Sequence, residues 1–295
     1  MEAPIEDRPL LVNIAYRMLG SVSEAEDAVQ EASTRWYALS GEEQRHISSP
    51  TGWLVTVTTR ICLDVLGSAR ARRERYVGEW LPEPVPELAR WTSHTGAGRV
   101  ADPADRVSLD ESLSMALLVV LEAMTPAERV SFTLHDVFGY SFAEIGEIVG
   151  RSEEASRRLA SSARRRVRDS RRARVDIREH ERVVALFKAA VETGDLRALV
   201  EVLDPNATVI PDGGGLVAAA TAPVTGAEEI ARYLVDLRAN VPGLAFEMTT
   251  VNGQPGLISR ESAERPSAVM AVEVVGGRVA RIWAIRNPQK LTGWT

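Results

Sequence analysis

The spacing of the apolar residues changes at Val175, and this constrains the fold more than any other feature of the 295-residue chain. Before that point apolar positions recur at helical intervals between strong helix starts and stops. Leu10, Leu11, Ile14, Ala15, Met18 and Leu19 form one stripe, closed by Gly20. Ser21-Val22-Ser23-Glu24 is a capping box for a second helix, whose stripe runs Ala25, Ala28, Val29, Ala32, Trp36 and Leu39. A polar loop from Gly41 to Ser49 ends at Pro50, and Trp53, Leu54, Val57, Ile61, Leu63 and Leu66 predict a third helix to about Ala71. Residues 5–75 therefore read as one helical domain.

Residues 76–107 carry Pro82, Pro84, Pro86 and Pro103 with Gly78, Gly96 and Gly98, the composition of an interdomain linker. Trp80 and Trp91 are unusual in a pure spacer and are expected to dock onto a domain. Helix resumes near Ser108 through Leu113, Leu117, Val120, Leu121 and Met124. Thr125-Pro126-Ala127-Glu128 opens the next helix, with Pro at its first position. Ser141-Phe142-Ala143-Glu144 then starts a short helix, Gly150-Arg151 turns the chain, and Ser152 caps a long helix through Leu159, Ala163 and Val167. Short helix, glycine turn and Arg-rich helix make a helix-turn-helix within residues 108–172.

After Val175 come helices at 177–193, 196–203 and 228–239, a strand at 207–210, and the loop Asp212-Gly213-Gly214-Gly215. Strand-like stretches follow at 244–252, 255–260, 267–275 and 278–286, the last two joined by Gly276-Gly277. Helices followed by an antiparallel meander predict an α+β domain over 176–295.

Charge is segregated along the same divisions. The chain has a net charge of −6, but residues 1–150 hold 13 basic and 23 acidic side chains, a net of −10. Residues 151–175 hold ten Arg, no Lys and three acids, a net of +7, and residues 176–295 carry −3. The planar fork of Arg suits phosphate better than an ammonium does. A smaller cluster is Arg70, Arg72, Arg73 and Arg75. The single cysteine, Cys62, offers neither an internal disulfide nor a metal cluster. No apolar run reaches the ~18 residues of a membrane span, and the acidic start lacks the basic region of a signal peptide. These features predict a cytoplasmic protein with no cofactor, no metal and no membrane partner.

Asp27-Ala28-Val29-Gln30-Glu31-Ala32 with Arg35-Trp36 resembles region 2 of the bacterial sigma-70 family. Leu121 to Arg129, followed by Phe138-Gly139-Tyr140-Ser141-Phe142-Ala143-Glu144-Ile145, is similar to region 4 of that family. Two regions joined by a linker resemble the extracytoplasmic-function (ECF) type. Tyr76 to Pro84, Asp212 to Gly215, and Asn287-Pro288-Gln289-Lys290-Leu291 resemble the subgroup carrying a SnoaL-like C-terminal extension. The chain departs from that subgroup at Glu79 (usually Pro), Leu216 (usually Lys) and Gln289 (usually Asp). The implied architecture is two all-α sigma domains, a region 2 bundle and a region 4 helix-turn-helix, followed by a SnoaL-like α+β domain with a cone-shaped, curved antiparallel sheet.

The resemblance implies a transcription initiation factor whose partners are core RNA polymerase and promoter DNA. Asp27, Gln30 and Glu31 share a helix face able to meet a basic coiled coil, with Trp36 either joining them or in the core. For the −10 element the matching positions are Arg45 and His46 in the loop, and Thr56, Thr59, Arg60 and Asp64 on the third helix; Trp53 reads as core. For the −35 element they are Ser152, Ala155, Ser156, Arg157, Arg158, Ser161 and Ser162. Arg157 or Arg158 is a candidate for bidentate guanine recognition. Arg164, Arg165 and Arg168 suit phosphates, and Arg171, Arg172 and Arg174 belong to the tether.

The SnoaL-like resemblance raises an enzyme reading, since such pockets use His and Asp as acid–base groups. Of His46, His94, His135 and His180 only the last lies in this domain, and spacing pairs it with none of Asp212, Glu247 or Glu273. No catalytic residue is assigned on that basis. The expected role is regulatory: the domain contacts the sigma regions through Trp80, Asp212, Gly213, Gly214, Gly215, Asn287, Pro288 and Lys290. A small-molecule ligand in an inherited pocket is a further expected partner. Alternatives from the residues are a helix-turn-helix regulator with a ligand-binding domain, and an enzyme with a DNA-binding appendage.

Overall fold

A computed structural model describes residues 7–73, 76–86, 111–170, 175–241, 244–262 and 265–294. The expectations for Arg75, Trp91, His94, Arg171, Arg172 and Arg174 lie outside these residues, as do the side chains of Arg70, Arg72 and Arg73. Contacts sort the described chain into two units. The first holds residues 7–73, 111–113 and 117–170, and the second 76–86, 114–116 and the rest from 175 onward.

In the first unit, α1 (Arg8–Leu19) ends at Gly20, which takes the left-handed conformation (φ 71°) that glycine adopts without a Cβ clash. α2 (Val22–Tyr37) is capped by Ser21, whose side chain accepts from the Glu24 amide. The polar stretch after it is not all loop: α3 (Gly41–His46) forms there, held by a capping box between Ser40 and Glu43. The Ser-x-x-Glu signal was present, but no residue of α3 is buried, so there was no apolar stripe to reveal it. α4 (Pro50–Arg73) is a 24-residue helix. Ile14, Met18, Ala28, Val29, Trp36, Leu54, Val55, Ile61 and Cys62 are buried. The Trp36 and Trp53 rings meet edge to face at 5.3 Å.

Further along, α5 (Met115–Glu122) precedes α6 (Pro126–Phe132), which starts at the Thr125–Glu128 capping box and runs into a π-turn over Thr133–Val137. α7 (Phe142–Val149) and α8 (Glu153–Ser170) follow. Gly150 makes the turn at φ 66°. Gly146 makes the close approach: a Cβ there would lie 2.6 Å from the Arg151 carbonyl oxygen.

Two arginines are buried inside this unit. Arg17 of α1 (1% exposed) donates to Ser112 Oγ at 2.7 Å and to Asn13, and lies over the Phe138 ring. Arg129 of α6 (2% exposed) donates to the Met18 carbonyl at 2.7 Å and to Glu122 at 2.6 Å. Burial holds the Arg129 pKa down at about 9.

The second unit is the expected α+β class. α9 (Ile177–Thr193), α10 (Leu196–Val202) and α11 (Ala227–Asn240) supply apolar residues to one core with the sheet. The strands are β1 (Leu203–Asp212), β2 (Val224–Thr225), β3 (Ala245–Val251), β4 (Gln254–Ser262), β5 (Arg265–Val275) and β6 (Arg278–Ile285). Their order is β2-β1-β6-β5-β4-β3. β3 to β6 form the expected meander, but β1 runs parallel to β6. A local pattern could not show that pairing, because β1 and β6 are brought together only after the chain passes through α11 and four strands. Val209, Leu257, Met270, Val272, Ile282 and Ala284 point to the helical side. Asp212, Glu247, Glu273 and Trp283 have the opposite strand parity.

Candidate functional site

Asp27, Gln30 and Glu31 are exposed on α2, while Ala25, Ala28, Val29 and Ala32 on its other side are buried. Trp36 corrects the sequence reading. At 2% exposure it belongs to the core, because its position on the helix continues the buried stripe. Its neighbour Tyr37, 60% exposed, presents an aromatic ring to solvent on the turn beyond Gln30 and Thr34. Sequence reasoning passed over Tyr37 because the larger aromatic beside it drew the assignment.

Arg45 and His46 are exposed on α3, where His46 Nδ1 bonds the Glu42 carbonyl at 2.8 Å. Thr56, Arg60 and Asp64 follow one another at i, i+4 and i+8 on α4. Arg60 and Asp64 are exposed, and the Thr56 hydroxyl donates back to the Gly52 carbonyl. Thr59 is a second correction: it is fully buried, one residue off the exposed face, and presents nothing to a strand.

Ser152, just before α8, and Arg157, Arg158, Ser161, Arg165 and Arg168 on it are exposed. Ser156 is fully buried, in register with Ala160, Ala163 and Val167, and is the third correction. Ala155 is partly covered. Ser162 donates to Glu128 at 2.7 Å and Arg164 to Asp136 at 2.5 Å, so both bind α8 to the preceding helices. Arg157 pairs with Glu153 at 2.8 Å and Arg158 pairs with Glu154. Exposed pairs of this kind are worth about 0.3–0.5 kcal/mol and release easily. Arg166, also exposed and 3.8 Å from Glu128, adds a cation that the sequence reading left out.

In the second unit the Asp212–Gly215 loop, the Asn287–Lys290 segment and residues 76–86 form one network. The Asp212 carboxylate is fully buried and accepts from Tyr76 Oη (2.6 Å), the Leu81 amide (3.0 Å) and Lys290 Nζ (2.7 Å). Lys290 Nζ also donates to the Leu81 carbonyl at 2.5 Å, and lies 4.1 Å from the Trp80 ring centre and 5.0 Å from that of Tyr76. Burial, followed by the Asp212 acceptor, pushes the Tyr76 phenol well above its usual pKa, so it stays a donor.

Asn287 donates to Tyr76 Oη at 2.8 Å and caps the 3₁₀ turn that Pro288 opens. The glycines are required by space. A Cβ on Gly214 would lie 2.4 Å from Asn287 Nδ2, and one on Gly213 would lie 2.8 Å from Ala219. A Cβ on Gly215 would reach Val77 at 3.0 Å. Further along the segment, Trp294 Nε1 donates to the Pro84 carbonyl (3.0 Å), and Val85 and Asn252 exchange two hydrogen bonds. Residues 76–86, expected as part of an interdomain linker with Trp80 docked onto a domain, thus pack with the C-terminal unit. Glu79, Leu216 and Gln289, the three departures from the subgroup pattern, are all exposed.

The acid–base candidates are not gathered. His180 is 6% exposed on α9 and bonds the Val272 backbone. Burial lowers its pKa, and its Nε2 has no hydrogen-bond partner among the described residues. Asp212, Glu247 and Glu273 have the strand parity opposite to the helix-facing core, and Asp212 is already occupied by its three donors. Among the described residues no group of three or more His, Cys, Asp or Glu could hold a metal ion. No described helix is long and apolar enough to cross a membrane.

The chain is similar to known proteins in sequence and in fold. The Sigma-70 region 2 family model matches residues 5–73, and the Sigma-70, region 4 model matches residues 114–167. The ECF RNA polymerase sigma factor SigJ of Mycobacterium tuberculosis is 38% identical, over 97% of this chain and 91% of its own length. The probable ECF RNA polymerase sigma factor SigI of the same species is 35% identical, over 96% of this chain and 92% of its own. The crystal structure of M. tuberculosis SigJ superposes with a TM-score of 0.74 at 35% identity, covering 97% of this chain and 96% of that one. The helical bundle and helix-turn-helix thus define a protein of the sigma-70 class, and the chain belongs to the ECF RNA polymerase sigma factors.

Proposed function

We propose that the chain binds core RNA polymerase, recognises the −10 and −35 promoter elements and directs transcription initiation in the cytoplasm. Its domains are read as region 2 (5–75), a linker (76–107), region 4 (108–172) and a regulatory α+β domain (176–295). The exposed Asp27, Gln30 and Glu31 face of α2 is the polymerase contact, and Tyr37 adds an aromatic anchor of the kind enriched at interface hot spots. The exposed side of α3 and α4, with Arg45, His46, Thr56, Arg60 and Asp64, takes the −10 strand. α8 enters the major groove, with Arg157 or Arg158 at a base edge and Arg165 and Arg168 on phosphates.

The observation that carries this reading is the split of α8. Its apolar side, Ala160, Ala163 and Val167, is buried, and its other side presents arginine with small serines. The C-terminal domain is read as a regulator in cis rather than an enzyme. The support is that residues 76–86, which directly follow region 2 in the chain, are held by Asp212, Lys290, Asn252 and Trp294. Anchoring that segment limits the tether between the two promoter-reading regions.

Run-off transcription with purified core polymerase tests both levels. The full chain initiates from its promoter, a D27A/E31A variant loses core binding, and K290M changes promoter output while core binding persists. Duplex binding without any retention of core polymerase would instead favour a simple helix-turn-helix regulator.

A further inference from the structure

Arg60 is placed by the preceding reading on the −10 strand, yet its guanidinium is already engaged. Nε donates to the Ile148 carbonyl at 3.2 Å and Nη2 to the Glu147 carbonyl at 3.0 Å. Both carbonyls belong to the last turn of α7, where a helix has no internal donors left and a cation is favoured. The preceding carbonyl, of Gly146, is satisfied locally by the Gly150 and Arg151 amides. An arginine almost ninety residues earlier in sequence therefore completes the C-terminal cap of the first helix of the helix-turn-helix.

The reverse contact exists too. Arg129, from α6, donates to the carbonyl of Met18 in the last turn of α1. The two caps differ in one respect that matters. Arg129 is buried and braced by Glu122, whereas Arg60 is exposed and sits between Thr56 and Asp64 on the α4 face. Only the Arg60 cap can be exchanged for another acceptor without exposing a buried charge.

We propose that Arg60 is shared between two exclusive acceptors, the terminal carbonyls of α7 in the free chain and the backbone phosphate of a single strand lying on α4. The inference rests on the assignment of α4 to the −10 strand. A phosphate that captures the guanidinium uncaps α7, so strand engagement on α4 and anchoring of the helix-turn-helix oppose one another. Linkage makes the effect reciprocal: freeing α7 strengthens capture of the strand.

The test uses the full chain with R60A and R60K. Amide exchange over residues 146–151 is measured without DNA and again with a mixed-sequence single-stranded oligonucleotide, and binding of that oligonucleotide is measured separately. The expected result is exchange about tenfold faster in R60A, the scale of losing charged hydrogen bonds, with R60K intermediate. The oligonucleotide accelerates exchange at 146–151 in the wild-type chain and leaves R60A unchanged, while R60A binds the strand about tenfold more weakly. Unchanged exchange in R60A would leave Arg60 a nucleic-acid contact alone and overturn the proposal. Unaltered strand binding would leave it a structural cap alone and overturn it equally, as would no strand binding by the wild-type chain. Retention of core polymerase, measured without DNA, reports separately on the proposed function.

Discussion

Replacing Asp212 by Asn is expected to destabilise the C-terminal unit severely although the side chain keeps its size. The carboxylate serves three donors with no water access. An amide offers one acceptor oxygen for them and turns an N–H toward either Tyr76 or Lys290. Breaking one partner of a buried ion pair costs about 3–5 kcal/mol. Lys290 keeps the Leu81 carbonyl and the Trp80 ring, which sets the expectation at the lower end, about 3 kcal/mol. For a unit of this size that corresponds to a fall in melting temperature of roughly 10–15 °C.

The assay is thermal unfolding followed by circular dichroism, together with hydrogen exchange at the Leu81 amide, which donates directly to Asp212. The D212N/K290M double variant is expected to lose at least about 1 kcal/mol less than the sum of the two single changes, because the two groups share one interaction. A fall of less than about 3 °C in D212N, with the Leu81 amide still protected, would refute the reasoning. In that case the network would be ornament on a domain stabilised elsewhere.

Other outcomes follow from separate parts of the molecule. The His180 pKa is lowered by burial, so the unfolded chain takes up that proton first; its contribution to stability is complete above about pH 6.5 and is lost as the pH falls below that value toward the folded pKa. H180Q flattens this part of a pH–stability curve from chemical denaturation, and an unchanged slope would count against it. One of R157A and R158A is expected to cost about 1–3 kcal/mol of discrimination at one base position, whereas R165A is expected to weaken all sequences alike and lower the salt slope by about 0.9, both read from promoter binding by the holoenzyme across a salt series. G146A forces its new methyl against the Arg151 carbonyl and is expected to cost about 1–3 kcal/mol, measurable as lost exchange protection across α7 and α8.

Much of this protein was legible locally. Helix caps at Ser21, Thr125 and Ser141, and glycine stops at Gly20, Gly150 and Gly194, marked helices close to their observed ends. They could do so because a helix start or stop is satisfied by residues within one turn of it. Exposure at single-residue precision was less legible. Thr59 and Ser156 are small polar residues that a helix can bury or expose with little local cost, and only the packing of neighbouring helices decided which. Trp36 was open between core and interface until the Trp53 contact closed the question.

The segregation of charge, the arginine face of the helix-turn-helix and the order of domains were determined by the sequence alone, because each depends on residues near one another in the chain. The tertiary structure decided three other matters. β1 lies parallel to β6, residues 76–86 belong with the C-terminal sheet around Asp212 and Lys290, and Arg60 caps a helix far from it in sequence. Each joins groups separated by some seventy to more than a hundred and thirty residues. No local propensity encodes such pairs; they form because a buried carboxylate or ammonium, or a carbonyl left without a donor at a helix end, finds a partner wherever the folded chain brings one.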